Sequence, residues 1–247
     1  MKVLATYNIK GGVGKTATAV NLSYLAARDG LRVLLADLDP QAAATYTLRV
    51  RPRVKGGGKA LITGSRELDA AIKGTDFDNL DLLPADFTFR NLDLMLDATK
   101  KPTQRLARLL RPLRASYDLV FLDCPPGISL LSESVLHAAD LALVPIIPTT
   151  LSLRTLDQLT EFISDFDGPR PEVLAFSSMI DRRKRLHKEI AERLPAERKD
   201  VADTAIPALS MIEQMSVRRA PVAAFAPRSA AARAYAQLWA EVRDRLF

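Results

Sequence analysis

The sequence predicts an α/β fold built on a mostly parallel, doubly wound sheet flanked by helices. Three observations carry that expectation. Short apolar runs alternate with stretches of helical periodicity along the whole chain. The runs are nearly continuous in apolar character, as strands covered on both faces require. The first run leads through a glycine-rich turn into a helical stretch and then a second run, which reads as a βαβ unit.

Taken in order, strands are expected at 3–8, 32–37, 80–83, 119–123, 141–146 and 173–177, with one more at 204–207. Helices are expected at 15–28, where Gly30 supplies the stop, and at 105–114, 153–166, 186–194 and 230–246. Residues 49–59 hold five basic residues, a proline and three consecutive glycines, and read as a surface loop or a phosphate- or cargo-touching arm. No linker composition or repeat divides the 247 residues, so one domain spanning 1–247 is expected.

Hydrophobic residues make up 48% and charged residues 26%, the balance of a chain that folds into a packed core. The net charge is +6, and from residue 181 to the end 14 Lys/Arg face 9 Asp/Glu. A basic surface for nucleic acid or membrane is therefore expected in the last quarter. One cysteine, Cys124, excludes an internal disulfide and a four-cysteine metal site, and points to a reducing, cytoplasmic compartment. No apolar run nears the ~20 residues of a membrane span, so a soluble protein is expected.

Chemistry concentrates where Lys10-Gly11-Gly12-Val13-Gly14-Lys15-Thr16 joins the first strand to the first helix. Backbone N–H groups at a helix N-terminus wrap phosphates, and glycine lets the chain approach closely. Lys15 places a cation at the β/γ-phosphates, and the Thr16 hydroxyl suits Mg²⁺. The ordinary phosphate-loop pattern wants a glycine where Ile9 stands, and this chain carries an extra lysine, Lys10, instead. Downstream, the apolar run 119–123 ends in Asp123, a carboxylate at a strand's C-terminal edge of the kind that holds Mg²⁺.

With that loop and its second lysine, the chain resembles the ParA/MinD family of ATP-dependent positioning proteins. The resemblance implies a P-loop NTPase fold, ATP and Mg²⁺ as ligands, and slow ATP hydrolysis in a nucleotide-sandwich homodimer. Lys10 then crosses to the partner's phosphates, while Gly11, Gly12, Val13, Gly14, Lys15, Thr16 and Ala17 bind the nucleotide. Asp37-Leu38-Asp39-Pro40-Gln41 resembles the family's DxDPQ element, so Asp39 orients the attacking water and, with Thr16 and Asp123, stands near the metal. Asp37 would fix the loop or the metal's water shell.

Met179 and Pro207, within segments 178–183 and 205–207, match the adenine-side stretches, and 221–229 matches the one before the last helix. Departures are Ala17 for a threonine, Ala42-Ala43 for Gly-Asn, and Ala208 and Met211 for arginines common in chromosomal relatives. The form is compact, without the N-terminal DNA-reading domain of larger plasmid members.

Two functions compete. In the first, the ATP-bound dimer coats nonspecific double-stranded DNA in the nucleoid through Arg182, Arg183, Lys184, Arg185, Arg218 and Arg219, and a ParB-like or other cargo adaptor triggers hydrolysis. Arg183 matches a DNA-contacting arginine of relatives. In the second, a MinD-like switch cycles on membranes through the apolar stripe Ala231, Tyr235, Leu238, Trp239, Val242 and Leu246. A buried stripe is the expectation, with no membrane partner. An iron–sulfur relative needs two cysteines per chain, which Cys124 alone does not provide.

Overall fold

The computed structural model describes residues 1–52, 54, 57–63 and 65–247. Seven strands form one sheet: β1 (Lys2–Thr6), β2 (Val33–Asp37), β3 (Lys73–Gly74), β4 (Leu80–Leu83), β5 (Leu119–Asp123), β6 (Leu141–Ile146) and β7 (Glu172–Ser177). Their spatial order is β3-β4-β2-β5-β1-β6-β7, and every neighbouring pair is parallel except β3–β4. The helices are α1 (Lys15–Arg28), α2 (Ala43–Thr47), α3 (Gly57–Thr63), α4 (Ser65–Ala71), α5 (Leu92–Asp97) and α6 (Arg105–Leu110). They continue with α7 (Leu130–Ala138), α8 (Thr150–Ser164), α9 (Arg185–Glu197), α10 (Ser210–Arg218), α11 (Val222–Phe225) and α12 (Ala230–Leu246).

Alternate residues of the central strands feed two apolar clusters. Val3, Ala5, Val120 and Leu122 join one, and Leu4, Leu119 and Phe121 join the other. This is the consequence of a period-two backbone sandwiched between helical layers, and it explains the continuous apolar runs. The apolar stripe of α12 is buried in the second cluster beside α1, so the last helix is core rather than a membrane face. Trp239 fixes that packing by donating its indole N–H to Asp29 at 2.8 Å. Among the described residues no helix is long and apolar enough to cross a membrane.

Most expected elements stand where the periodicity placed them, and the differences have local causes. The first strand stops at Thr6 rather than residue 8, because the Asn8 side chain accepts from Lys10 N–H and starts the loop. The helix expected at 105–114 ends at Leu110 and tightens into a 3₁₀ turn, Arg111–Ala115, around Pro112. The stretch 204–207 is not a strand. It forms a single bridge, Pro207 to Ile180, since proline has no N–H to extend a ladder.

Within the expected loop 49–59, residues 53, 55 and 56 lie outside the described residues, while Gly57, Gly58 and Lys59 open α3. Glycine there answers to crowding. A Cβ at Gly57 would lie 2.5 Å from the Thr88 hydroxyl, and one at Gly58 would lie 3.0 Å from Leu92.

Candidate nucleotide-binding site

Strand register brings the predicted residues together. Asp123 on β5 pairs with Thr6 on β1 and with Asp37 on β2, so three loops leave the sheet at one level. They are the glycine loop after β1, Asp39–Gln41 after β2, and Pro125–Gly127 after β5. In a doubly wound sheet, ligands bind in the crevice at these C-terminal strand ends. A cavity of about 630 Å³ opens there, lined by Gly11, Gly12, Gly14, Lys15, Thr16 and Ala17 on one side. Asp39, Gln41, Pro125 and Pro126 form its rim, and Met179 and Ile206–Leu209 its far wall.

The loop is held from both ends. Asn8 donates its side-chain amide to the Pro145 carbonyl (2.8 Å) and accepts from Lys10 N–H (2.8 Å). Gly127 N–H donates to the Ile9 carbonyl at 3.0 Å, and the Tyr7 hydroxyl donates to the Gly127 carbonyl at 2.8 Å. Gly14 sits at φ 96° as the residue before α1, a conformation that disfavours any side chain. Ser178 from the opposite wall donates to the Val13 carbonyl at 2.9 Å.

Lys15 is buried, and its ammonium donates to the Lys10 carbonyl at 3.0 Å. Burial lowers its pKa, opposed by the nearby carboxylates of Asp123 and Asp39. Lys10 does not line the cavity of its own chain. Its backbone is fixed by Asn8 and Lys15, while its side chain has no hydrogen-bond partner among the described residues.

Three carboxyl groups share the strand ends but differ in surroundings. Asp37 is fully buried and accepts from Thr45 N–H (2.8 Å) and the Thr45 hydroxyl (2.7 Å) through one oxygen, and from Asp39 N–H (3.3 Å) through the other. Burial raises its pKa to about 6. It is a structural hub for the turn, matching the loop-fixing expectation.

Asp39 is partly exposed and accepts Gln41 N–H at 2.9 Å. Asp123 is wholly buried, and its pKa is raised by burial first and then by the neighbouring Asp37 charge. The Thr6 hydroxyl donates to Asp123 Oδ1 at 3.4 Å and the Thr16 hydroxyl lies close enough to lower the Asp123 pKa, yet Asp123 Oδ2 has no partner. A buried, orphaned carboxylate oxygen beside a threonine hydroxyl is the donor set that a hard cation with one or two protein contacts uses, so the residues fit Mg²⁺.

Met179 and Pro207 both line the cavity, Met179 at a positive φ of 54°. Sequence reasoning missed Leu209, Ile212, Glu213 and Tyr235, which complete that wall. For Ile212 and Tyr235 the signal was weak, because apolar residues on α10 and α12 look like core in sequence.

The predicted cationic residues form two groups. Arg182, Arg183, Lys184 and Arg185 follow one another between β7 and the start of α9, all exposed. Arg183 forks onto Asp181 (3.0 and 2.9 Å), whose carboxyl it holds well below the usual range, and Arg185 pairs with Glu189. Arg218 and Arg219 end α10, and no hydrogen bond, ion pair or ring contact joins them to the first group among the described residues. Arg219 packs on Tyr46, its guanidinium 4.5 Å from the ring centroid.

A profile of the AAA domain family matches residues 1–173. The "Chromosome partitioning protein ParA" of Caulobacter vibrioides is 34% identical, with 99% of this chain and 95% of that protein covered. The chain belongs to the ParA family. "Sporulation initiation inhibitor protein Soj" of Bacillus subtilis is 32% identical over 98% of each chain.

Among solved structures, cobyrinic acid a,c-diamide synthase of Mycobacterium smegmatis, holding an ATP analogue and magnesium, superposes with a TM-score of 0.84. It is 28% identical and covered over 95% of its length. The seven-stranded, mostly parallel sheet flanked by helices is thus the P-loop fold of a ParA-family chain.

Thr45 holds this ParA-family site together twice, since its hydroxyl also accepts Ala85 N–H at 2.9 Å. Thr45→Val keeps the shape and strips both bonds from buried partners. A loss of about 2–3 kcal/mol is expected, read as a lower urea midpoint at unchanged slope.

Proposed function

We propose that this chain is an ATP-driven dimerising switch that binds DNA without sequence preference and positions a cargo, acting as one ATPase unit over residues 1–247. The observation that carries the reading is the single cavity in which Lys15, Thr16, Ala17 and Asp39 face a glycine loop, with the unpartnered Asp123 oxygen behind it. The relatives' names, chromosome partitioning and sporulation control, support a partition or positioning role.

ATP and Mg²⁺ are the ligands that this donor set fits. The loop's N–H groups and Lys15 bind the phosphates, neutralising charge that builds during transfer. Thr16 and Asp123 hold the metal, which supplies further charge neutralisation at the phosphates. Asp39, on the open rim and tied by one oxygen to Gln41, orients the attacking water and accepts its proton. Water oxygen then bonds to the γ-phosphorus as the bridge to ADP breaks, releasing phosphate.

Lys10, free of its own cavity, reaches the phosphates of a partner copy. Met179 and Pro207 contact the adenine. Turnover without a partner protein is slow, because the site awaits completion by an adaptor.

Arg182, Arg183, Lys184 and Arg185 form the main phosphate-contacting strip for DNA. Their ion pairs are solvent-exposed and weak, so a DNA phosphate displaces Asp181 or Glu189 at little cost. Arg218 adds charge, while Arg219, engaged with Tyr46, contributes through its remaining donors. The six stripe residues of α12 are buried in the core, so that face of α12 is not the surface a membrane would meet.

Three outcomes test the reading. Lys15→Ala should weaken ATP binding by roughly 10- to 100-fold, the worth of a charge-assisted bond. Lys10→Ala should bind ATP yet stay monomeric by light scattering, and a Lys10→Ala dimer equal to wild type would refute the role in the partner's site. Asp39→Ala should hold an ATP-bound dimer while turnover drops about 100-fold or more, and undiminished phosphate release would move the water-orienting role elsewhere.

On random-sequence duplex DNA with ATP, binding should weaken with log salt at a slope of roughly −0.9 per neutralised phosphate. Arg183→Glu should flatten that slope by about one. Indifference of the wild type to DNA would exclude it as the matrix.

A further inference from the structure

A second cavity, about 580 Å³, lies on the other side of the Asp39–Gln41 turn. Its cationic wall is Arg49, Arg51 and Arg219, and Tyr46 and Gln41 close it toward the nucleotide cavity. Gln41 lines both cavities.

The two flanking arginines clamp one another across 170 residues. Arg49 donates Nε to the Arg219 carbonyl and Nη2 to the Arg218 carbonyl, each at 3.1 Å. Arg219 donates Nε to the Tyr46 carbonyl at 2.9 Å and stacks on its ring. Both hold positive φ, 61° and 50°. Bulky residues keep that conformation only where their surroundings over-determine it, and such strain collects at functional surfaces.

The clamp leaves donors unused. The Nη atoms of Arg219 and the whole guanidinium of Arg51 have no partner among the described residues, and Arg51 is exposed. Arg49 Nη1 reaches Asp76 only at 3.5 Å. Planar guanidinium forks match carboxylates in two-point geometry.

The remaining lining, Ala42, Ala43, Val50 and Pro52, is apolar. An apolar-walled hollow with cationic forks suits a side chain of a peptide. The duplex surface proposed above is centred instead on the exposed strip at 182–185.

We propose that this groove docks an acidic segment of a partner protein, a carboxylate entering between Arg51 and Arg219 against the Tyr46 ring. The docking does not require the nucleotide reading. Gln41 is the common wall of the two cavities, and its N–H is bonded to Asp39, so an effect of docking on turnover would rest on the nucleotide reading.

A fluorescein-labelled hexaglutamate peptide, titrated at low salt and followed by anisotropy, tests the groove. Arg51→Glu should weaken peptide binding about 10-fold or more, since like charges are brought together, and leave ATP-dependent duplex binding as in wild type. Arg183→Glu should do the reverse. Equal peptide affinity in wild type and Arg51→Glu, or equal losses in both variants, would overturn the site as a specific groove. Loss of duplex binding in Arg51→Glu would overturn it in favour of a nucleic-acid surface. Failure of all variants to hydrolyse ATP would count against the proposed ATPase cycle and leave the peptide result standing.

Discussion

The structure depends on one electrostatic constraint, the gathering of Asp37, Asp39 and Asp123 at the ends of β2 and β5, with the buried Lys15 beside Asp123 and Asp39. Parallel register makes this unavoidable: Asp37 and Asp123 are cross-strand partners, so two carboxyl groups meet in the sheet's interior. Like charges so placed raise one another's pKa, and burial adds to the effect. The protein answers differently at each position. Asp37 is satisfied by the α2 threonine, Asp39 is partly exposed and bonded to Gln41 N–H, and Asp123 keeps an orphan oxygen. Only the last arrangement lacks internal compensation, and a divalent cation with its phosphates is the compensation that its surroundings fit.

That constraint also explains what was legible in the sequence. Loop, lysines and strand-end acids are contiguous in the chain, because a phosphate cradle must be made of consecutive backbone N–H groups. The central strands were equally legible, since burial on both faces writes itself as an unbroken apolar run. The far wall of the cavity was less so. Met179 and Pro207 came from resemblance, but Ile212 and Tyr235 sit on helices where an apolar residue facing a ligand looks the same as one facing core. The arginine groove was legible only in its parts, the basic stretch 49–59 and Arg219, and not as one site. Its clamp joins residue 49 to residue 219, and no local pattern encodes a contact of that span.

Backbone strain marks both cavities independently of side-chain chemistry. Six non-glycine residues among those described have positive φ, and four of them, Ala42, Arg49, Met179 and Arg219, line one cavity or the other. Strain of this sort is tolerated where neighbouring contacts outweigh it, and here it aims side chains into hollows rather than into core. Asn79 follows the usual exception, a short polar residue in a turn.

The two hollows share one wall, and this limits how a partner can act on the site. Asp39 is positioned by its own backbone contact to Asp37 and by Gln41 N–H, and Asp37 is locked by Thr45. The Asp37 side of the turn is therefore rigid, buried and fully bonded. The Gln41 side is exposed, followed by Ala42 in a left-handed conformation, and borders the groove. A force applied from outside reaches Asp39 through Gln41 more readily than through Asp37, because only the former can move without breaking buried bonds. If Asp39 orients the attacking water as proposed, the softer end is the place where a partner's binding energy would meet the chemistry.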